Sequence, residues 1–369
     1  MKAVKRDGSI NTTAALLTQG VLLDRLHAWI AAGSTFDPKG AYCGWRRADG
    51  SLSEPYPEIT GYVLTYWSWA AEIGLASASS PDPRAKAAAD WLATRFLSQK
   101  FAGRPRADGE LVYFFDLAMG AHGLFNWAQL HGDGRHQAAG QAAVERILFS
   151  WRNRTFDELP AVDRFALRRA HAKWSLTGTA HLVKVAQALL MAELHGSKEA
   201  GALAHALVEG ALAEIQDFGV PLSTSPSGPI SLHALAYAAE GLWCWSERKA
   251  DSRAREASAR ITQWLLSLMC HDGTMPGFVD KSDRTTQPQS DVLAQTLRLA
   301  RLHGVVEQTC DMLEAAVNRS TRSVHHDRAC LVYWPMQDHS DENTWATSFG
   351  AQALALGRDP GLVTWRSLV

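Results

Sequence analysis

Hydrophobic positions recur along almost the whole chain with the spacing of an α-helix. Apolar residues stand at i, i+3, i+4 and i+7 in long Ala-rich segments, which lays one apolar face along each helix. Alternating strand patterns are scarce, and the best short candidates are 111–115 and 329–334. We therefore predict an all-α protein. Its twelve helices are expected at about 11–32, 57–73, 84–99, 115–131, 135–152, 175–195, 199–216, 232–246, 252–270, 290–303, 306–320 and 343–356.

Two kinds of helix alternate in this order. The even-numbered helices are rich in Ala, Gly and aromatic residues and poor in charge, as buried helices should be. The odd-numbered helices carry Arg, Asp, Glu and Gln on one face, as solvent-facing helices should. The contrast is plain between 232–246, which reads LHALAYAAEGLWCWS, and 252–270, which begins SRAREASAR. The alternation predicts helical hairpins that each pair an outer with an inner helix.

The hairpins repeat at a nearly constant interval. A polar residue stands near the start of each inner helix, and successive intervals are 58, 59, 58, 58 and 52 residues. These starts are Glu58, Asp116, Ser175, His233, Asp291 and Asn343. Glycines follow the inner helices, where a left-handed residue ends a helix cheaply. They are Gly74, Gly132, Gly196, Gly304 and Gly357.

Six such hairpins can close into a ring with six parallel inner helices. We therefore predict an (α/α)6 toroid that forms one domain over residues 1–369. An open solenoid of helical hairpins is the weaker alternative, because it should expose one concave face and need polar caps at both ends. Here the polar residues recur at one end of the inner helices instead.

Parallel inner helices place all six N-termini at one mouth of the ring. Each N-terminus offers free N–H groups and about half a positive charge. Any one Asp, Ser or Asn there is an ordinary N-cap, but six polar residues converging on a concave mouth are typical of a ligand site. The polar loop 271–290 is the longest in the chain and is expected to cover this mouth.

Several strings resemble a family of six-hairpin toroid proteins found among bacterial polysaccharide-biosynthesis proteins. The strings are YPEITGY (56–62), HALAYAAEGL (233–242), DGTMP (272–276), SDVLAQ (290–295) and NTWATSF (343–349). The resemblance spans about 40–357. It implies the six-hairpin glycosidase-like fold and carbohydrate chemistry, since the wider superfamily includes glycoside hydrolases, uronate lyases and unsaturated-uronyl hydrolases.

A related ring is used by N-acylglucosamine 2-epimerases. This chain resembles them in having a histidine, His233, on the eighth helix. Those enzymes also need a second histidine near the last inner helix, where this sequence has Asn343 and Trp345. The difference disfavours an epimerase.

Carboxylates at the mouth favour glycoside hydrolysis. That reaction uses a carboxylic acid and a second carboxylate about 5–5.5 Å away for retention or about 6.5–9.5 Å away for inversion. We predict Glu58 as the acid, since desolvation between Tyr56 and Tyr62 favours its protonated form although the helix dipole opposes this. Asp291 or Asp116 is then the base or nucleophile.

The predicted substrate-binding residues surround these carboxylates. The chain has 14 Trp against 7 Tyr and 12 Phe, and an indole face can pack on a sugar ring as well as fill a core. Trp174 and Trp345 are expected to stack on sugar, and His233 to hold a hydroxyl. The full set is Tyr56, Tyr62, Lys173, Trp174, His233, Asp341, Asn343 and Trp345.

Two alternatives stay open. A uronate lyase needs a Tyr or His base and a group that neutralises the carboxylate. His233, Tyr113 or Tyr237, with Asn343 and Lys173, could serve. The ring could also be a non-catalytic glycan-binding protein of a polysaccharide assembly system.

Composition narrows the possible partners. The 37 Lys and Arg nearly balance the 38 Asp and Glu, so no nucleic-acid partner is indicated. The five cysteines are odd in number and form no C-x-x-C, so we predict reduced thiols, no metal and no cofactor. No apolar signal region or membrane-length run is visible, which predicts a cytoplasmic protein without a membrane span. The segment 325–327 is interpreted as an exposed turn and the basic cluster in 164–173 as a solvated helix face.

Overall fold

The computed structural model describes residues 19–101, 111–154, 160–162, 174–218, 222, 224, 228–280 and 286–369. Most of these residues are helical, and the α-helices alternate between an inner and an outer layer. The helices are α1 (Gln19–Ala31), α2 (Pro57–Glu72), α3 (Pro83–Leu97), α4 (Phe114–His131), α5 (Gly134–Arg152), α6 (Trp174–Thr177), α7 (Val185–Leu194), α8 (Lys198–Phe218), α9 (Leu232–Lys249), α10 (Ser252–Ser267), α11 (Ser290–Leu302), α12 (Glu307–Arg319) and α13 (Thr344–Leu356).

Within the described ranges, short strands and two 3₁₀ helices connect them. One 3₁₀ helix, Ala180–Lys184, leads into α7, and the other, Pro360–Leu362, follows α13. The strands pair antiparallel as β1 with β2, β3 with β8, β4 with β5 and β6 with β7. They are β1 (Phe36–Asp37), β2 (Ala41–Tyr42), β3 (Trp45–Arg46), β4 (Ile230–Ser231), β5 (Phe278–Val279), β6 (Thr321–His325), β7 (Arg328–Leu331) and β8 (Glu342–Asn343).

The inner helices form a closed circle. In order these are α2, α4, α7, α9, α11 and α13, and each contacts the next, with α13 returning to α2. The helices α1, α3, α5, α8, α10 and α12 pack around them, each against an inner partner. The pairing of β3 with β8 joins the two ends of the circle. This architecture confirms the predicted (α/α)6 toroid.

Burial follows the predicted division into inner and outer helices. Every residue of α2 from Pro57 to Ala70 is buried, whereas α10 buries only one face, made of small and aliphatic residues. Small residues let the inner helices touch through their backbones. A Cβ added at Gly61 would lie 2.2 Å from the Met119 carbonyl oxygen, and one at Gly123 would lie 2.4 Å from the Gly61 carbonyl oxygen. Only glycine fits where α2 crosses α4.

Helix ends follow the sequence signals with one exception. Asp82, Asp133 and Asp251 cap the outer helices α3, α5 and α10 by accepting from backbone N–H groups. Four predicted stop glycines have positive φ, namely Gly74, Gly132, Gly196 and Gly304. Gly357 ends α13 as predicted, since it is the C-cap of that helix, but its φ of −71° keeps it right-handed instead of left-handed.

Two predicted elements differ from the structure. The expected helix 175–195 is divided into α6, the 3₁₀ helix and α7, because Gly178 and its flanking threonines are weak helix formers. The strand predicted at 111–115 is absent, since only Tyr113 forms a bridge, to Val162, before α4 begins. The candidate at 329–334 is confirmed in part as β7.

The segment after α13 enters the ring from the end opposite the mouth. Its backbone carbonyls accept hydrogen bonds from inner-helix side chains. The Gln187 amide donates to the carbonyls of Trp365 and Leu368, and the Gln352 amide to that of Ser367. This end of the ring is therefore filled by backbone. Within the part of the chain that is described, no helix is long and apolar enough to cross a membrane.

Candidate active site

The polar starts of the inner helices lie together at one end of the ring. Glu58 is the second residue of α2, Asp116 the third of α4, and His233 and Asp291 the second of α9 and α11. The carboxylates are buried, and the His233 side chain is 13% exposed. None of these residues is the N-cap of its helix, so simple capping does not explain them.

A pair of tyrosines spans the ring below the mouth. The Tyr62 hydroxyl donates to the Tyr237 hydroxyl at 2.7 Å, which links α2 to α9. Burial, followed by the nearby Glu58, raises the pKa of Tyr237 well above its usual value, and Asp291 adds to the effect. Both Glu58 and Asp291 therefore lie within electrostatic reach of one buried phenol.

Asp291 is held by donors on both of its oxygens. Oδ2 accepts from the Trp345 indole N–H at 3.1 Å, and Oδ1 accepts from the Val292 backbone N–H at 2.8 Å. The Nδ1 atom of His233 lies 3.6 Å from Oδ2. The carboxylate is fully buried, but the indole that binds it is partly exposed.

An aromatic wall forms beside Asp291. The Trp345 ring contacts Tyr333 and Trp45 edge to face, with centroid distances of 5.6 and 6.1 Å. A Cβ at Gly44 would lie 3.0 Å from the Trp345 ring and 3.1 Å from the Tyr56 hydroxyl, so this glycine lets the two rings approach. Such a wall suits a sugar ring.

His233 connects the mouth to buried charges in the centre of the ring. Its Nδ1 lies 2.6 Å from Oε1 of Gln295, whose amide nitrogen donates to Glu240 at 3.3 Å. Glu240 also accepts from Lys184 at 2.7 Å and from Arg298. Burial would raise the pKa of Glu240, but Arg298 and Lys184 lower it below its usual value. Burial lowers the pKa of Lys184 to about 8.

His181 also lies at this site. It stands on the 3₁₀ helix, with its ring 5.6 Å from that of Phe115. Burial, with a smaller effect of His233, lowers its pKa to about 3, so the imidazole is neutral. Counting by the repeat interval predicted Ser175 at this position, because the count requires an unbroken inner helix.

Other predicted site residues have different surroundings. The Asn343 amide oxygen caps α13 by accepting from Ala346 at 2.8 Å. Asp341 lies at the rim near Arg47 and Arg322, and burial raises its pKa. Lys173 lies outside the described residues, as do the side chain of Trp174 and the basic cluster in 164–173.

Among the described residues, one group has the composition of a metal site. It consists of His325, His326 and Asp327, all exposed at the β6–β7 turn, where an exposed turn was expected. The five cysteines are free, and four are buried.

Solved structures share this fold at low sequence identity. A cellobiose 2-epimerase from Bacillus thermoamylovorans is 11% identical with a TM-score of 0.70, over 92% of this chain and 99% of that one. An unsaturated glucuronyl hydrolase specific for heparin is 11% identical with a TM-score of 0.68, over 94% and 97%. A D-mannose isomerase is 12% identical with a TM-score of 0.67, over 94% and 99%.

These similarities confirm the six-hairpin toroid fold. No protein-family model and no curated protein sequence matches the chain.

Proposed function

We propose that the protein is a carbohydrate-processing enzyme whose active site is the mouth of the ring. The fold is that of enzymes that act on glucuronyl sugars, cellobiose and mannose. The mouth adds polar groups from four inner helices and a partly exposed indole, Trp345. Concave sites with a few convergent polar groups are the usual place for a small ligand.

Glycoside hydrolysis is the reaction that the arrangement supports best. The observation that carries it is that buried carboxylates from three inner helices, Glu58, Asp116 and Asp291, lie at the same mouth of the ring. Glu58 would protonate the leaving oxygen, and Asp291 would act as base or nucleophile. Asp116 is the alternative second carboxylate.

The aromatic wall would hold the sugar next to these carboxylates. A ring stacked on Trp345 lies beside Asp291, because the indole N–H binds that carboxylate. Tyr56 and Tyr62 line the Glu58 side, and Asn343 holds the first turn of α13. Lys173, Trp174, His233 and Asp341 are the remaining proposed contacts.

Variants of the two carboxylates test this proposal. The protein is incubated with aryl glycosides, unsaturated uronyl disaccharides and reducing disaccharides, and release of reducing ends is measured. Glu58→Gln and Asp291→Asn should each lower kcat by about 100-fold or more, the usual range for lost acid–base catalysis. Asp338→Asn, at an exposed carboxylate in the same region, should leave kcat unchanged. Unchanged turnover in both site variants, or a change in sugar affinity alone, would contradict a hydrolase.

Proton transfer on a sugar is the second candidate. It covers epimerisation or isomerisation beside a carbonyl and elimination from a uronate, and it is favoured by the hydrogen bond of His233 to Gln295. The same reactions run in D₂O, with a saturated uronic-acid disaccharide added as the substrate for elimination, separate the candidates. Deuterium uptake beside the carbonyl without chain cleavage indicates epimerisation or isomerisation, and a new C=C absorbance indicates elimination. His233→Asn should abolish either signal.

A further inference from the structure

Glu240 is the fixed end of a buried hydrogen-bond chain. The side chains of Glu240, Lys184 and Arg298 are fully buried, and both cations donate to the carboxylate. Two bound cations keep Glu240 ionised, so its oxygens can only accept hydrogen bonds. Any side chain that bonds to it from the mouth side must present a donor.

Gln295 presents that donor and so has one orientation. Its amide nitrogen lies 3.3 Å from Oε1 of Glu240. The reversed amide would set a carbonyl oxygen against the carboxylate and an NH₂ group against the imidazole. The amide oxygen therefore faces His233, with Oε1 at 2.6 Å from Nδ1.

This orientation decides which imidazole nitrogen carries the proton. A carbonyl oxygen only accepts, so Nδ1 of His233 must carry hydrogen. Oδ2 of Asp291, 3.6 Å away, is a second acceptor on the same side of the ring. In the neutral imidazole the lone pair is then on Nε2.

We propose that Glu240 and Gln295 are positioning residues that hold His233 as the Nδ1–H tautomer, so that Nε2 is the atom that takes up a proton or accepts a hydrogen bond from a sugar hydroxyl. The statement that Nε2 interacts with a sugar rests on the proposed function. The tautomer itself does not, because it follows from the hydrogen bonds alone.

Nitrogen NMR of ¹⁵N-histidine-labelled protein tests the tautomer without any substrate. The His233 signals are assigned from their loss in His233→Asn. At a pH where this imidazole is neutral, Nδ1 should show a pyrrole-type shift and Nε2 a pyridine-type shift. The reverse pattern in the native protein would overturn the proposal.

Two replacements of Gln295 and one matched control extend the test. Gln295→Met keeps the length and removes the nearer acceptor, so His233 should lose most of its preference for Nδ1–H, with only Asp291 Oδ2 at 3.6 Å left to accept from Nδ1. Gln295→Glu keeps an oxygen at the same place, and repulsion from the ionised Glu240 keeps the new carboxyl protonated and able to donate to it, so the preference should be retained. Gln352→Met is the control, because Gln352 binds Arg298 in the same buried cluster but belongs to α13. It should leave the tautomer unchanged. Retention of the native pattern in Gln295→Met would refute the role of Gln295.

Turnover provides the second readout. Gln295→Met should lower kcat by about 10- to 100-fold with little change in KM, by analogy with metal-binding histidines that lose the partner that orients them. Gln295→Glu should recover most of the loss. If the tautomer behaves as expected but His233→Asn turns over like the native protein, the positioning role in catalysis is excluded. The Glu58 and Asp291 variants still test the hydrolase separately. Circular dichroism confirms that each variant is folded.

Discussion

Glu240 shows what a single buried carboxylate does for this fold. It lies on α9 in the centre of the ring and binds the ammonium of Lys184 and the guanidinium of Arg298. Placing such groups out of water costs several kcal/mol per ion, and their mutual attraction offsets this only while all partners are present. The cluster therefore depends on each member.

We expect Glu240→Gln to destabilise the protein by about 3–5 kcal/mol, because it leaves two buried cations facing a neutral amide. Urea unfolding followed by fluorescence and circular dichroism measures the change. Glu199→Gln is the control, since Glu199 pairs with Arg152 at the surface, where an ion pair contributes about 1 kcal/mol or less. Equal losses in the two variants would show that burial of the cluster carries no special cost.

Counting along the chain by the hairpin interval identifies only those site residues that occur at this interval. Glu58, Asp116, His233 and Asp291 share one register near the starts of unbroken inner helices, so counting along the chain was enough to bring them together. His181 lies where the helix is divided, and the register shifts there. Gln295 was missed because its importance depends on the direction of an amide, which no sequence pattern encodes.

The contact between α2 and α4 depends on two glycines. Gly61→Ala and Gly123→Ala would each place a methyl group within about 2.5 Å of backbone atoms on the facing helix. Backbone cannot rotate away as a side chain can, so each change should cost at least about 1–3 kcal/mol. Gly210→Ala, at an exposed helical glycine with open space around it, should instead raise stability by about 0.5–1 kcal/mol. Thermal unfolding distinguishes the two effects, and a melting temperature of Gly61→Ala equal to the native value would refute the close contact.

Helix boundaries were predictable where the sequence has a proline, a capping aspartate or a glycine at the end of a helix. Pro57, Asp82 and Gly132 mark ends within a residue or two of the observed ones. The helix predicted at 175–195 contains no proline or capping residue that predicts an interruption. The only indication of the observed division is the group of weak helix formers around Gly178. The short apolar run at 111–115 predicts a strand, but periodicity alone cannot distinguish a short strand from the start of a buried helix.

The nearly constant interval between hairpins was sufficient to predict a closed ring. It did not predict that the segment after α13 fills one end of that ring. Six hairpins of nearly equal length return to their starting point, and β3 pairs with β8 where they meet. Residues after α13 contribute backbone carbonyls to the end opposite the mouth. Those contacts use main-chain atoms, so the side-chain pattern of this segment gave no sign of them.

The closed ring also buries histidines, which makes its stability depend on pH. Burial lowers the pKa of His122 and His181 to about 3 and that of His303 to about 4. In the unfolded chain these groups titrate near pH 6.5. As the pH falls from 6.5 towards 4, the unfolded chain binds protons that the folded ring does not. Stability should therefore decrease through this window, by about 1.36 kcal/mol per pH unit for each proton difference.

His122→Gln isolates one of these protons. The variant's free energy of unfolding at pH 7 does not enter the comparison, which uses only the slope of this free energy against pH. Between pH 6 and 4.5 the slope for the variant should be smaller than for the native protein by the equivalent of about one bound proton. Urea unfolding at several pH values gives both slopes. Gln308→Ala, at an exposed residue of α12 that does not titrate, should keep the native slope. Parallel curves for His122→Gln and the native protein would mean that His122 binds its proton equally in both states. The acid sensitivity of the ring would then come from other groups. Glu240, whose pKa is lowered in the folded protein, is the first of these to test.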